Sequence, residues 1–155
     1  MTTLSTLAIS LHILSAVLWV GGMFFAHQVL RPVAVQQFEP PQRLRLWSQV
    51  FTRFFPWVWL SVVLLLVTGY WMLFRVFGGM GSVGLHVHIM QGLGWVMILL
   101  YMHLYFAPFR RLKEAVITEQ WPEAGKRLNQ IRLIVGINLS LGLIVTAIAA
   151  GGRYL

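Results

Sequence analysis

The chain has 155 residues, 58% of them hydrophobic and 10% charged, where a soluble domain carries roughly a quarter charged residues. Its net charge of +8 lies in short segments beside long apolar blocks, the pattern of a membrane orientation signal rather than of a nucleic-acid surface. Cysteine is absent, which excludes disulfides, thiolate metal sites, iron–sulfur clusters and covalent haem attachment and leaves any metal to His, Met or oxygen ligands.

The opening MTTLSTL has no basic n-region and no small-residue cleavage pattern follows, so the first apolar block is expected to stay as a helix. Four segments are long enough for a hydrocarbon core of ~30 Å at ~20 residues each: 7–29, 55–76, 85–107 and 131–150. The expected fold is an all-α integral membrane protein, one four-transmembrane-helix domain over residues 1–155. Loop one (31–54) carries Arg31, Arg43, Arg45 and Arg53. Loop three (108–130) carries Arg110, Arg111, Lys113, Lys126 and Arg127. The opposite side has Arg75, beside the turn GGMGSVG, and Arg153. This asymmetry predicts a bacterial inner-membrane protein with loops one and three in the cytoplasm and both termini periplasmic. RFFPWVW is expected as an aromatic belt with Pro56 at a helix start, and WPEAGKRL as a short helix on the membrane surface.

Within the first and third blocks runs a matched pattern. HILSAVLWVGGMFFAH spans His12 to His27, and HIMQGLGWVMILLYMH spans His88 to His103. Both begin His-Ile, both have a tryptophan seven positions on (Trp19, Trp95), and both have a proline five past the second histidine (Pro32, Pro108). Helices one and three run the same way, so the chain reads as two parallel-repeat helical hairpins, with helices one and three able to face each other across the core.

Fifteen residues rise about 22 Å and leave two side chains about 60° apart around a helix. His12 with His88, and His27 with His103, would thus form two levels of paired imidazoles. That is the ligand set of a bis-histidine b-type cytochrome, with one or two haems b between helices one and three. Gly21, Gly22 and Gly92, with Ser15, Ala16 and Gly94, would clear the ring. Basic residues at the helix ends would pair with the propionates. Electrons would pass across or within the membrane, with a quinol, a small redox species or a redox protein as partner, which makes a membrane oxidoreductase one reading. The bland alternatives are interfacial histidines, and glycines that allow close helix packing.

A copper reading competes. Met80, His86, His88 and Met90 crowd the start of helix three, and thioether and imidazole suit Cu(I). His86 and His88 point ~200° apart on a regular helix, so they share one ion only if the helix start is unwound. His86 is also an alternative outer haem ligand. No carboxylate lies within a span, and no hydrolytic triad or phosphate-binding glycine motif is present. Asn138, the amide within span four, is expected to bond a neighbouring helix. Beyond the bilayer, homo-oligomerisation stays open.

LHILSAVLWVGGMFFAHQVLRP, EPPQRLRLW, FFPWVW, TGYWM, HVHIMQGLG, APFRRL and GGRYL together resemble the CopD-like family of bacterial membrane proteins over nearly the whole chain. The skeleton His12, Trp19, Gly22 is also similar to HemJ-like proteins. The first resemblance implies copper transport or copper binding. The second implies haem held by His12 and protoporphyrinogen oxidase activity. The Pro-Arg-Leu that ends the first helix of HemJ-like proteins is His27 to Pro32 here, and no span contains a lysine.

Overall fold

The computed structural model describes residues 2–154; the side chain of Arg153, counted above with the outer basic residues, lies outside the description. Four long helices account for almost all of it: α1 (Thr3–Gln37), α2 (Pro40–Arg75), α3 (Leu85–Ile117) and α4 (Trp121–Gly151). Each contains an apolar stretch long enough to cross a membrane. The protein is therefore a multi-pass, all-helical membrane protein, as the composition requires.

The helices are longer than the bilayer. The 36 residues of α2 reach about 54 Å at 1.5 Å each. The excess lies at the end carrying the 31–54 and 108–130 segments, here called the basic end. The expected loop one is largely helix, because α1 continues to Gln37 and α2 begins at Pro40. WPEAGKRL opens α4 instead of forming a separate surface helix. Pro56 lies inside α2, where Pro40 takes the first-turn position. The basic segments are rich in Arg, Lys, Gln and Leu, all good helix formers, so nothing stops the helices where the lipid stops.

The matched prolines leave a matched mark. α1 widens into a π-helical segment at Phe25–Leu30, just before Pro32, and α3 does so at Tyr105–Phe109, around Pro108. Proline lacks an amide proton and crowds the carbonyl one turn back, and a π-turn is a common way to absorb such a disturbance without ending a helix. At the other end, Gly78 (φ +78°) and Gly79 (φ +107°) turn the chain out of α2, and the Gly79 amide donates back to the Leu73 carbonyl at 2.9 Å.

α1 packs along α2, and α3 along α4. α4 also touches α1 and α2, and the basic end of α3 touches α2. α1 and α3 consequently stand at diagonal corners. They meet where Trp19 and Tyr101 lie edge to face, ring centroids 6.0 Å apart. The core is densest toward the basic end, where Phe55 stacks on Phe51 at 5.1 Å and meets Phe109 edge-on at 4.7 Å. The RFFPWVW run is thus divided: Phe55 and Val58 are core, while Trp57 faces outward.

Candidate functional site

Each histidine of the repeat is held by a different neighbour. His12, half-buried in the N-terminal half of α1, lies against α2, its Nδ1 2.9 Å from the Thr68 hydroxyl. That hydroxyl donates to the Leu64 carbonyl at 2.5 Å, so its proton is committed and it accepts from Nδ1–H. The ring is therefore the tautomer with a free Nε2 lone pair, the form in which imidazole binds metals. Gly69 makes the approach feasible, since a Cβ there would lie 3.2 Å from His12 Cε1. Thr68 and Gly69 come from TGYWM, which the sequence flagged without a role.

His27 turns to α4. Its Nε2 would be 3.2 Å from a Cβ at Gly136, and its Nδ1 is 3.2 Å from the Gln28 amide nitrogen. His103 is exposed and lines a small cleft with Arg127, Gln130 and Leu133 of α4. His27 borders the cleft of Gly125, Asn129 and Arg132, on another face of the same helix. α4 stands between the two rings, so the inner pair is not brought together. The outer pair is not either: His12 is bonded to α2, while His88 is exposed on α3.

Nor is there a slot for a macrocycle between α1 and α3. That space holds Trp19, Met23, Met97 and Tyr101, each 2–4% exposed. The glycines expected to clear the ring do other work. Gly21 and Gly92 are exposed with nothing near an added Cβ, whereas Gly22 accommodates Phe54 of α2, whose ring would stand 2.4 Å from a Cβ. Gly142, which the sequence did not single out, admits Val20 and Met97 in the same way. The residues present do not fit a haem between these helices. Trp95, matched to Trp19 in the repeat, is 41% exposed, and its indole donates to the Tyr70 hydroxyl at 2.9 Å.

Asn138 behaves as the sequence predicts, its Nδ2 donating to the Met97 carbonyl of α3 at 3.1 Å. Its Oδ1 is buried and has no partner.

At the end carrying both termini, α3 is regular from Leu85 onward. His86 and His88 therefore diverge and do not share one ion through an unwound helix start. His86 is packed under the last turn, where a Cβ at Gly152 would lie 2.6 Å from its own Cβ. This gives Gly152 of the GGRYL segment a packing role. Met80 and His88 are exposed and Met90 is half-buried. Among the described residues no group of three or more His, Cys, Asp or Glu side chains gathers to hold a metal ion. Of the donors the sequence singled out, Met80, Met90 and His88 remain open at this end, with His12 further along α1.

A family model described as CopD, copper resistance protein D, matches residues 48–151, which takes in most of α2, all of α3 and α4, and leaves α1 outside. No curated protein and no solved structure matches the chain.

Proposed function

Since the chain belongs to the copper resistance protein D family, we propose that its substrate is cuprous copper, handled across the membrane by thioether and imidazole ligands. Met80, His88 and Met90 at the termini end capture the ion, and His12 receives it inside the bundle. The observation that carries this reading is the His12–Thr68 contact of 2.9 Å. An ionisable ring at membrane level is costly and tends to be functional. This one also has hydrogen-bond partners behind it, the Thr68 hydroxyl and the Leu65 carbonyl, and a ring N–H held in that way leaves the other nitrogen for a metal, as in ligating histidines. Thioether and neutral imidazole are soft enough for Cu(I) and poor for Mg2+ or Ca2+.

The orientation belongs to the same proposal. Basic residues crowd the end opposite the termini, which by the positive-inside rule puts that end in the cytoplasm of a bacterial inner membrane and both termini outside. Capture then occurs on the periplasmic face.

The test is Cu(I) flux into vesicles reconstituted with the protein, comparing wild type, His12→Gln, and a variant lacking Met80, His88 and Met90 side chains. The reading expects flux in wild type and its loss in both variants. Wild-type flux equal to empty vesicles contradicts it. A b-type haem with electron transfer rests on the same His12 but needs Trp19, Met23, Met97 and Tyr101 to give way; a reduced α band in the purified protein is its signature.

A further inference from the structure

A cleft of about 230 Å³ opens at the basic end between α1, α2 and α4. Arg31 and His27 of α1, Arg43 of α2 and Arg132 of α4 line it, and no carboxylate does. Arg31 and Arg132 thus share one cleft with the His27 ring. Among the described residues none of the three arginines forms an ion pair. The nearby acids do not pair with these arginines: Glu119 pairs with Arg45 at 3.0 Å, Glu123 with Arg127 at 2.7 Å, and Glu39, just before Pro40, lies outside the lining and in no ion pair among the described residues. The cleft thus gathers cations from three helices and leaves them uncompensated, although acids for pairing lie within a few residues. Its walls are Trp47, Phe51 and Trp121, flat apolar surfaces beside the charged rim.

Uncompensated like charges in a concave site repel one another and favour an anion between them. Guanidinium forks match phosphate oxygens in shape and charge. The cleft lies where the helices leave their apolar stretches, at the level of lipid phosphates, and basic pockets between transmembrane helices at that level take anionic head groups. We propose that this cleft is a phosphate-ester site, filled by the head group of an anionic lipid, with Arg31, Arg43 and Arg132 on the phosphate and the aromatic wall against the glycerol and first acyl carbons. The proposal is independent of copper handling.

Gly125 offers a test that leaves every charge in place. It lines the cleft, and a Cβ there meets nothing within 4 Å, so Gly125→Leu starts from open space and extends into the cleft. Short-chain phosphatidic acid, short-chain phosphatidylcholine and inorganic phosphate would each be titrated onto delipidated protein in detergent. Stoichiometry would be read by native mass spectrometry and affinity by the shift in thermal unfolding. The expected result is one phosphatidic acid per chain. Its affinity falls at least tenfold in Gly125→Leu and in Arg43→Gln/Arg132→Gln, and is unchanged in Arg110→Gln, whose exposed side chain pairs with Glu114 outside the cleft. Inorganic phosphate binding with the same variant pattern supports the site and makes free phosphate a second source. Equal binding of phosphatidylcholine, an equal loss in Arg110→Gln, or full binding by Gly125→Leu overturns the proposal. Should the double arginine variant fail to fold, the Gly125→Leu result decides alone.

Discussion

Replacing Thr68 by valine keeps the shape of the side chain and deletes its hydroxyl, so no cavity or clash enters the comparison. The hydroxyl makes two bonds, accepting from His12 at 2.9 Å and donating to the Leu64 carbonyl at 2.5 Å. The second is largely redundant, since that carbonyl belongs to a regular helix and keeps its backbone partner. The first ties a half-buried imidazole to the α2 hydroxyl, beside the Leu65 carbonyl that the ring also meets. Side-chain bonds between transmembrane helices contribute about 0.6 kcal/mol on average and up to roughly 1.7 kcal/mol. Thr68→Val should therefore lower stability by about 1 kcal/mol in the wild-type background, and by only a few tenths (~0.3 kcal/mol) in a His12→Ala background. A double-mutant cycle read by reversible unfolding in mixed micelles measures the coupling directly. The same substitution should weaken Cu(I) binding by about 10- to 100-fold, the usual effect of removing the partner that orients a metal-binding histidine. A cost for Thr68→Val that is the same with and without His12 refutes the argument, because the Leu64 bond would then carry the whole effect.

Three further outcomes follow from the packing. Gly22→Leu puts a side chain where Phe54 stands and should cost roughly 1–3 kcal/mol, while Gly21→Leu, facing open space one residue earlier, should stay within about 0.5 kcal/mol of wild type; thermal unfolding of the two variants checks the contrast. Asn138→Val removes one hydrogen bond together with one unpartnered buried oxygen, two opposed effects of about 1 kcal/mol each, so its stability should stay near wild type. Asn138→Asp buries a charge at the same place and should lower stability by about 3 kcal/mol or more, or go to a neutral acid, which unfolding measured across pH would reveal. Glu119→Gln breaks an ion pair whose two side chains are more than half exposed and should change stability by less than about 1 kcal/mol.

Much of the fold was legible because lipid is a severe solvent. Blocks 85–107 and 131–150 lie inside α3 and α4, and 55–76 coincides with the second half of α2 to within one residue, with Arg75 and Gly84 marking the turn where the sequence expects it. The basic ends were misjudged because hydropathy reports where lipid stops, not where a helix does. Arg, Gln and Leu between 42 and 50 extend α2 by propensity, and Leu44 and Trp47 anchor that extension in the core. The proline signals split by context: Pro40 starts a helix, whereas Pro32, Pro56 and Pro108 are absorbed within one.

The site was legible only in part. Matched spacing did identify His12 as unusual, and the matched prolines do produce matched π-segments. Spacing along one helix cannot say which neighbour a side chain meets. His12 turned to α2 and His27 to α4 because Gly69 and Gly136 leave room there, and a mid-span glycine carries no mark of the ring it admits. The π-segment at Phe25–Leu30 also advances the chain by less than 100° per residue, which spoils the regular phase assumed between His12 and His27. Arg132 was passed over because it falls inside the fourth apolar block, though it completes the cleft with Arg31 and Arg43.

The most direct test of the copper reading is the metal content and optical spectrum of the purified protein after one equivalent of Cu(I), in wild type and His12→Gln. The account predicts a colourless protein that retains copper through gel filtration and competes for it with a chromophoric chelator, with the His12→Gln variant at least tenfold weaker. A protein that carries a reduced b-type α band, or that yields its copper equally with and without His12, contradicts it.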